Sequence, residues 1–233
     1  MRLIEVDTNA VNEIHSWLKK HDIKNYNIVN GVVNVNADIH IFSDPMTQIP
    51  VQFGVVKGLF QIFDCDNLVD LTNGPSEVHG DYVVSGTSGL KSLTGIAKII
   101  KGSFTCSHCH SLQSLTGIEQ LEHCYDFMST FCPSMTFLTK DKVQSDIQGS
   151  FDCSNCVNLK TISGGPAQIN GVYNITDCPN ITDLLHLFDV TGITRVVASG
   201  TIGDIMTRGL QARNEFQTQG ELFDAGYDHM ANY

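Results

Sequence analysis

The sequence predicts a mainly β fold: a short, leucine-rich-repeat-like parallel β-solenoid with an N-terminal helical cap and C-terminal helices. An aromatic residue recurs every 22 to 24 positions, as Phe60, Tyr82, Phe104, Phe127, Phe151 and Tyr173. Two residues before each stands a glycine, or Tyr125 in one case: Gly58, Gly80, Gly102, Tyr125, Gly149 and Gly171. Two later aliphatic columns keep the same period. They are Leu68, Leu90, Leu112, Met135, Leu159, Ile181 and Leu71, Leu93, Leu115, Leu138, Ile162, Leu184. A period of this length marks stacked repeats, in which each unit buries its apolar side only against its neighbours.

Each element has its own signal. Residues 8–22 read as an amphipathic helix that Thr8 or Asn9 can cap, with Val11, Ile14, Trp17 and Leu18 on one face. Val33, Val35, Ala37, Ile39 and Ile41 alternate strictly. They fit either a first, degenerate rung or a capping hairpin around Asn30-Gly31. Residues 1–30 therefore hold the N-terminal helix and the start of the capping hairpin. The repeat solenoid spans 31–200, with rungs starting near 36, 58, 80, 102, 125, 149, 171 and 195.

Counted from the glycine, positions −2, 0, +2 and +4 alternate with a period of 2, which predicts one strand with one buried face. The −2 column reads Val56, Val78, Ile100, His123, Ile147 and Ile169, so the rung at 119–148 breaks the pattern. The leucines at +10 and +13 must return inward from an irregular back. Ile193 to Ala198 suggests a last strand. Residues 203–216 and 218–231 look helical and form a C-terminal cap over 201–233.

Composition narrows the function. The chain has 233 residues, 42% of them hydrophobic, and a formal net charge of −11. An acidic chain repels phosphates and anionic lipid, which argues against nucleic acid and membrane partners. No run approaches the ~18 apolar residues of a membrane span. The opening residues carry acidic and amide groups where a secretory signal has its apolar stretch. On that reading the sequons at Asn174 and Asn180 are chance matches, and the eight cysteines are reduced thiols of a cytosol.

Two rungs carry a shared pattern: G-S-F-T-C-S-H-C-H-S-L-Q-S-L-T-G from Gly102 to Gly117, and G-S-F-D-C-S-N-C-V-N-L-K-T-I-S-G from Gly149 to Gly164. They resemble a repeat found in many uncharacterised proteins of tailed bacteriophages, G-x-F-x-C-S-x-C-x-x-L-x-S-L-x-G. The similarity covers about residues 31–190. The N-terminal helix and Glu221-Leu-Phe-Asp-Ala-Gly-Tyr227 resemble the flanks of that group. The resemblance implies a solenoid acting in the host cytoplasm, or alternatively in the virion, and brings no catalytic residues with it. Val84 and Thr87 depart from it by replacing both cysteines of their rung, and Ser129 pairs with Cys132 in another.

Cys106-x-x-Cys109 and Cys153-x-x-Cys156, with His108, His110, His123 and Cys124, have the spacing of a zinc site. The repeat register opposes this. Cys106 and Cys153 lie two rungs apart, about 9–10 Å. Two thiolates on one zinc must lie within about 4 Å of each other. Cys109, Cys132, Cys156 and Cys178 form a straight column, not a tetrahedron. A ladder of small buried thiols is expected, with no metal and no cofactor.

Asp64, Asp66 and Asp70 lack the glycine and bidentate glutamate of an EF-hand loop. Ser85 to Gly89 and Ser163 to Gly165 lack the lysine and helix of a phosphate loop. No Ser/His/Asp or paired-carboxylate arrangement stands out, so no catalytic residue is assigned and the chain is expected not to be an enzyme.

What remains is the outward face of the strands: Leu59, Gln61, Phe63, Val83, Ser85, Thr105, Asp126, Met128, Asp152 and Asn174, with Asp81, Ser107, Thr130, Ser154 and Thr176 beside them. Solenoids commonly bind through this face. The expected function is a non-enzymatic interaction module for a host or phage protein. A virion or assembly component, and a zinc or thiol-redox protein, are the alternatives.

Overall fold

The computed structural model describes residues 8–232. Residues 1–7 and Tyr233, which the terminal units above include, lie outside the described residues. Helix α1 (Thr8–Lys20) closes the N-terminal end. Its apolar stripe sets fully buried Leu18 on the core, and Trp17 meets Phe53 edge-on at 6.1 Å. Lys19 and Lys20 in its last turn complement the helix dipole.

β1 (Tyr26–Val29) and β2 (Val32–Val35) then form an antiparallel hairpin. Its turn is made by Asn30 and Gly31, both at positive φ, as a two-residue hairpin of this hand requires. β2 also pairs in parallel with β4 (Gln52–Val56). The hairpin and first-rung readings therefore both hold.

Each coil contains two strands, where the sequence pattern suggested one. The first sheet runs β1, β2, β4, β6 (Glu77–Val78), β8 (Ile99–Ile100), β10 (His123–Cys124) and β12 (Asp146–Ile147). The second sheet has eight strands, longer on average than those of the first. They are β3 (Ile39–Phe42), β5 (Phe60–Phe63), β7 (Tyr82–Ser85), β9 (Phe104–Ser107), β11 (Phe127–Thr130), β13 (Phe151–Asp152), β14 (Val172–Asn174) and β15 (Arg195–Val197).

The glycine lies in the bend between the two strands. There the backbones of successive coils stack closely: Gly102 N–H donates to the Gly80 carbonyl at 3.2 Å. A Cβ on Gly102 would sit 2.8 Å from that carbonyl, so a side chain would force the coils apart. Asp38, Asp81 and Asp126 complete the corner by accepting from the N–H of Leu59, Ser103 and Ser150 at 2.9, 2.9 and 2.7 Å.

The six aromatic residues form one buried spine, with neighbouring ring centroids 5.0 to 5.5 Å apart from Phe60 to Tyr173. Phe53 extends it towards α1. Ring size is matched across the core. The coils of Phe104 and Phe127 carry buried Ile96 and Ile118, whereas Tyr82 and Tyr173 reach towards Gly74 and Gly165. A Cβ on those two glycines would lie 3.0 and 3.1 Å from the phenol oxygens.

The fourth rung corrects the predicted register. His123 pairs with Ile99 and Asp146, and Cys124 pairs with Ile147. Fully buried Cys124, not half-buried His123, therefore continues the −2 column. One residue is missing from this corner, and Tyr125 takes the glycine's place. Its N–H donates to Gly102 O and its carbonyl accepts from Gly149 N–H.

A second corner follows the long strands. Ser43, Asp64, Gly86, His108, Phe131, Asn155, Asp177 and Gly200 all have left-handed φ, between 48° and 65°. At the C-terminal end, α2 (Ile202–Ala212) covers the last strand, and Thr207 Oγ1 accepts from Val196 N–H at 2.9 Å. The break to α3 (Glu215–Asp224) falls earlier than the sequence suggested. Arg213 turns left-handed, and Asn214 caps α3 by accepting from Gln217 N–H. Among the described residues, no helix is long and apolar enough to cross a membrane.

Candidate binding face

Strand pairing settles where the predicted face residues stand. Gln61, Val83, Thr105, Met128, Asp152 and Asn174 are successive register partners across β5, β7, β9, β11, β13 and β14. They form one outward column, half-buried by their neighbours. Phe63, Ser85, Ser107 and Thr130 form a second. Leu59 and Asp126 are not on this flat face. They precede the strands, at the corner, where Asp126 holds Ser150 N–H. Ser154 is a correction too: it is buried, because its strand stops at Asp152 and the chain turns inward.

The face begins one strand earlier than the sequence count placed it. β3 heads both columns with His40 and Phe42, partners of Gln61 and Phe63. Phe42 is 57% exposed and stacks on Phe63 at 5.5 Å, nearly parallel at 10°. The signal was present in the alternation over Ala37, Ile39 and Ile41, whose odd partners are His40 and Phe42. A second exposed stack, His108 on Phe131 at 4.8 Å, lies at the left-handed corner. No periodicity marks it, because the eight residues of that column are of six different types.

Polar groups on the face largely satisfy one another. His40 Nδ1 lies 2.8 Å from Gln61 Oε1, Ser85 Oγ lies 2.9 Å from Ser107 Oγ, and Asn174 Nδ2 donates to Asp152 at 2.8 Å. The two columns from β3 to β14 carry no lysine or arginine. Phe42, Phe63, Val83 and Met128 supply its apolar part.

The thiols have a local role that the sequence did not show. The residue after each left-handed turn points inward, as Cys65, Thr87, Cys109, Cys132, Cys156 and Cys178. Each donates to the carbonyl two residues back. The Cys65, Cys109 and Cys132 thiols reach Phe63, Ser107 and Thr130 at 3.4, 3.5 and 3.4 Å, and Thr87 Oγ1 reaches Ser85 at 3.4 Å. That carbonyl already accepts a backbone N–H from the coil before, as Ser107 does from Gly86 at 3.0 Å, and the small inward side chain adds a second donor to it.

All eight cysteines are free and buried. Burial pushes the Cys65 and Cys153 thiols up, Cys178 to about 11 and Cys124 to about 12. Cys106 pairs in register with Ser129, so Cys106 and Cys153 stand two rungs apart. Among the described residues, no three His, Cys, Asp or Glu side chains converge as a metal set.

In the first coil the same inward position is Asp44, 4% exposed at its side chain. Lys20 and His21, from the end of α1, approach its carboxylate at 2.5 and 2.9 Å. The end coil thus replaces a thiol with the acid that anchors the cap.

A pocket of about 510 Å³ lies between the last coils and the closing helices. Val157, Ile175, Pro179, Ile202 and Met230 are among its lining residues. No protein-family model matches this chain, and neither a curated protein nor a solved structure does so.

Proposed function

We propose that the protein is a non-enzymatic, phage-encoded interaction module that binds a host or phage protein through the outward face of its longer-stranded sheet. The observation that carries this reading is the Phe42–Phe63 stack. Two aromatic rings lie against each other on a rigid sheet, with Phe42 more than half open to solvent. Exposed apolar groups that cluster in this way mark contact surfaces. Val83 and, beyond Thr105, Met128 add apolar groups in the neighbouring column, while Asp152 and the corner acids Asp81 and Asp126 give the face a polar, acidic border. The backbone is already fixed by the core, so little conformational entropy is lost on binding. The border favours a partner with a basic surface around an apolar centre.

The test uses the protein on beads in lysate of infected or host cells, with retained proteins identified by mass spectrometry. Large apolar groups near an interface centre dominate binding. Phe63→Ala with Met128→Ala should therefore lower recovery of a specific partner about 10-fold or more, with melting little changed. A partner held equally well by the double variant, and shielding the terminal helices from hydrogen exchange instead, overturns the reading.

A further inference from the structure

We infer that α3 is a self-association surface that pairs with α3 of a second copy of this chain in antiparallel fashion, at the opposite end of the solenoid from the Phe42–Phe63 stack. α3 packs on α2 through Thr218 and Leu222, both buried. Its opposite face presents Phe216, 87% exposed, and Phe223, 50% exposed, with Gly220 between them. At seven residues apart, the two rings lie on one side of the helix.

Gly220 supplies the independent sign. A glycine inside a helix costs about 1 kcal/mol relative to alanine. At Gly209, in α2, the cost has an internal reason, because a Cβ would strike the Thr218 side chain. At Gly220 nothing lies within 4 Å of where a Cβ would stand, and φ is not left-handed. This chain's own packing therefore gives no reason for the glycine. A second helix backbone approaching between the two rings does.

Charge selects the antiparallel arrangement. With a two-fold axis through Gly220, Phe216 of one copy lies beside Phe223 of the other. Arg213 then comes level with the end of the other helix, where exposed Asp224 and Asp228 lie. That end is also the negative pole of the helix dipole, so a cation there is favoured twice. A parallel pair would set like charges against each other. The contact involves one ten-residue helix per copy. It is smaller than the ~1,200 Å² of a stable interface, so the dimer is concentration-dependent.

The test is sedimentation equilibrium of the full chain over a concentration series reaching about 200 µM, the range suited to small interfaces. A reversible monomer–dimer equilibrium is expected. Phe216→Ser with Phe223→Ser should weaken it at least 10-fold. Arg213→Asp should weaken it as well, and adding Asp224→Arg and Asp228→Arg should restore it. All these side chains are exposed, so circular-dichroism melts should match the wild type and separate lost association from lost fold. A wild-type chain that stays monomeric throughout overturns the inference. So does a dimer indifferent to the Phe216 and Phe223 changes, or an Arg213→Asp defect that the swapped charges do not repair.

Discussion

Removing the Phe104 ring tests the spine where it has most to lose. Phe104 is fully buried and packs between Tyr82 at 5.5 Å and Phe127 at 5.0 Å. Truncating a buried phenylalanine to alanine costs about 3–5 kcal/mol. Two ring pairs, each worth roughly 0.5–1.5 kcal/mol, put Phe104→Ala at the upper end of that range, about 4–5 kcal/mol. With a urea slope of about 2–3 kcal/mol per molar, the midpoint should fall by roughly 1.3–2.5 M. Thr105→Ala, next in sequence but on the outward side, should stay within about ±0.5 kcal/mol.

The location adds a second expectation. Stability in a solenoid is close to a sum of unit and neighbour terms. A defect in β9, with coils on both sides, should therefore loosen the coupling between the two halves. Trp17, the single tryptophan, reports the N-terminal end, while far-ultraviolet circular dichroism reports the whole chain. The two transitions should coincide in the wild type and separate in Phe104→Ala. Equal midpoints for Phe104→Ala and Thr105→Ala would refute the inward–outward assignment on which the candidate face rests.

Three further outcomes follow from named atoms. The Tyr82 and Tyr173 hydroxyls are buried without a hydrogen-bond partner among the described residues, so Tyr82→Phe should raise stability by about 1 kcal/mol; a loss in urea melts would mean that the hydroxyl has a partner. Cys109→Thr should be tolerated, because Thr87 fills the equivalent place, and Cys109→Val should cost less than about 1 kcal/mol in urea melts, because the Ser107 carbonyl keeps the Gly86 N–H at 3.0 Å when the thiol is lost. Acid should undock α1. Burial holds His21 below its ordinary 6.5, so the unfolded chain takes up that proton first and stability falls as pH drops below 6.5. Burial works against the charged form of Asp44, but Lys20 and Met46 N–H outweigh it and hold the carboxyl below 3.8. That contribution is complete above 3.8 and disappears as pH falls through the folded value. Trp17 emission should shift progressively on acidification from pH 7, and a flat trace down to pH 4 would show that the cap is held otherwise.

The inward-facing positions were legible because burial constrains them to a narrow set of residues. Phe104, Leu112 and Leu115 could be aligned with their counterparts by spacing alone, and all are buried as that spacing required. Features set by backbone approach were less legible. The bend at Gly102 comes from contact with the coil before it, so a period-2 pattern running through it looked like one strand. The left-handed corner was hidden because serine, aspartate, histidine, phenylalanine and asparagine all occupy it. The missing residue before Tyr125 shifted one rung by a single place, enough to put His123 where Cys124 belongs. His40 and Phe42 escaped because the count began at the first glycine, and their strand has Ala37 in that place.

Polarity on a stacked sheet is a poor guide to function, and the side-chain pairs on this one show why. His40 with Gln61, Ser85 with Ser107 and Asp152 with Asn174 are contacts between neighbouring coils, so these groups are occupied in holding register. Their presence would be expected on a sheet that binds nothing. The stacked rings of Phe42 and Phe63 differ, since burying Phe42 against solvent requires something outside the chain. The same reasoning separates Gly209, fixed by Thr218, from Gly220, fixed by nothing internal. The two surfaces defined in this way lie at opposite ends of the solenoid. A pair of chains joined through α3 would leave both aromatic faces free. A partner with two sites would then meet the second face at the effective concentration set by the dimer, so that weak single contacts combine into a tighter one. Loss of the α3 contact should therefore weaken capture of a bivalent partner and leave a monovalent one unaffected.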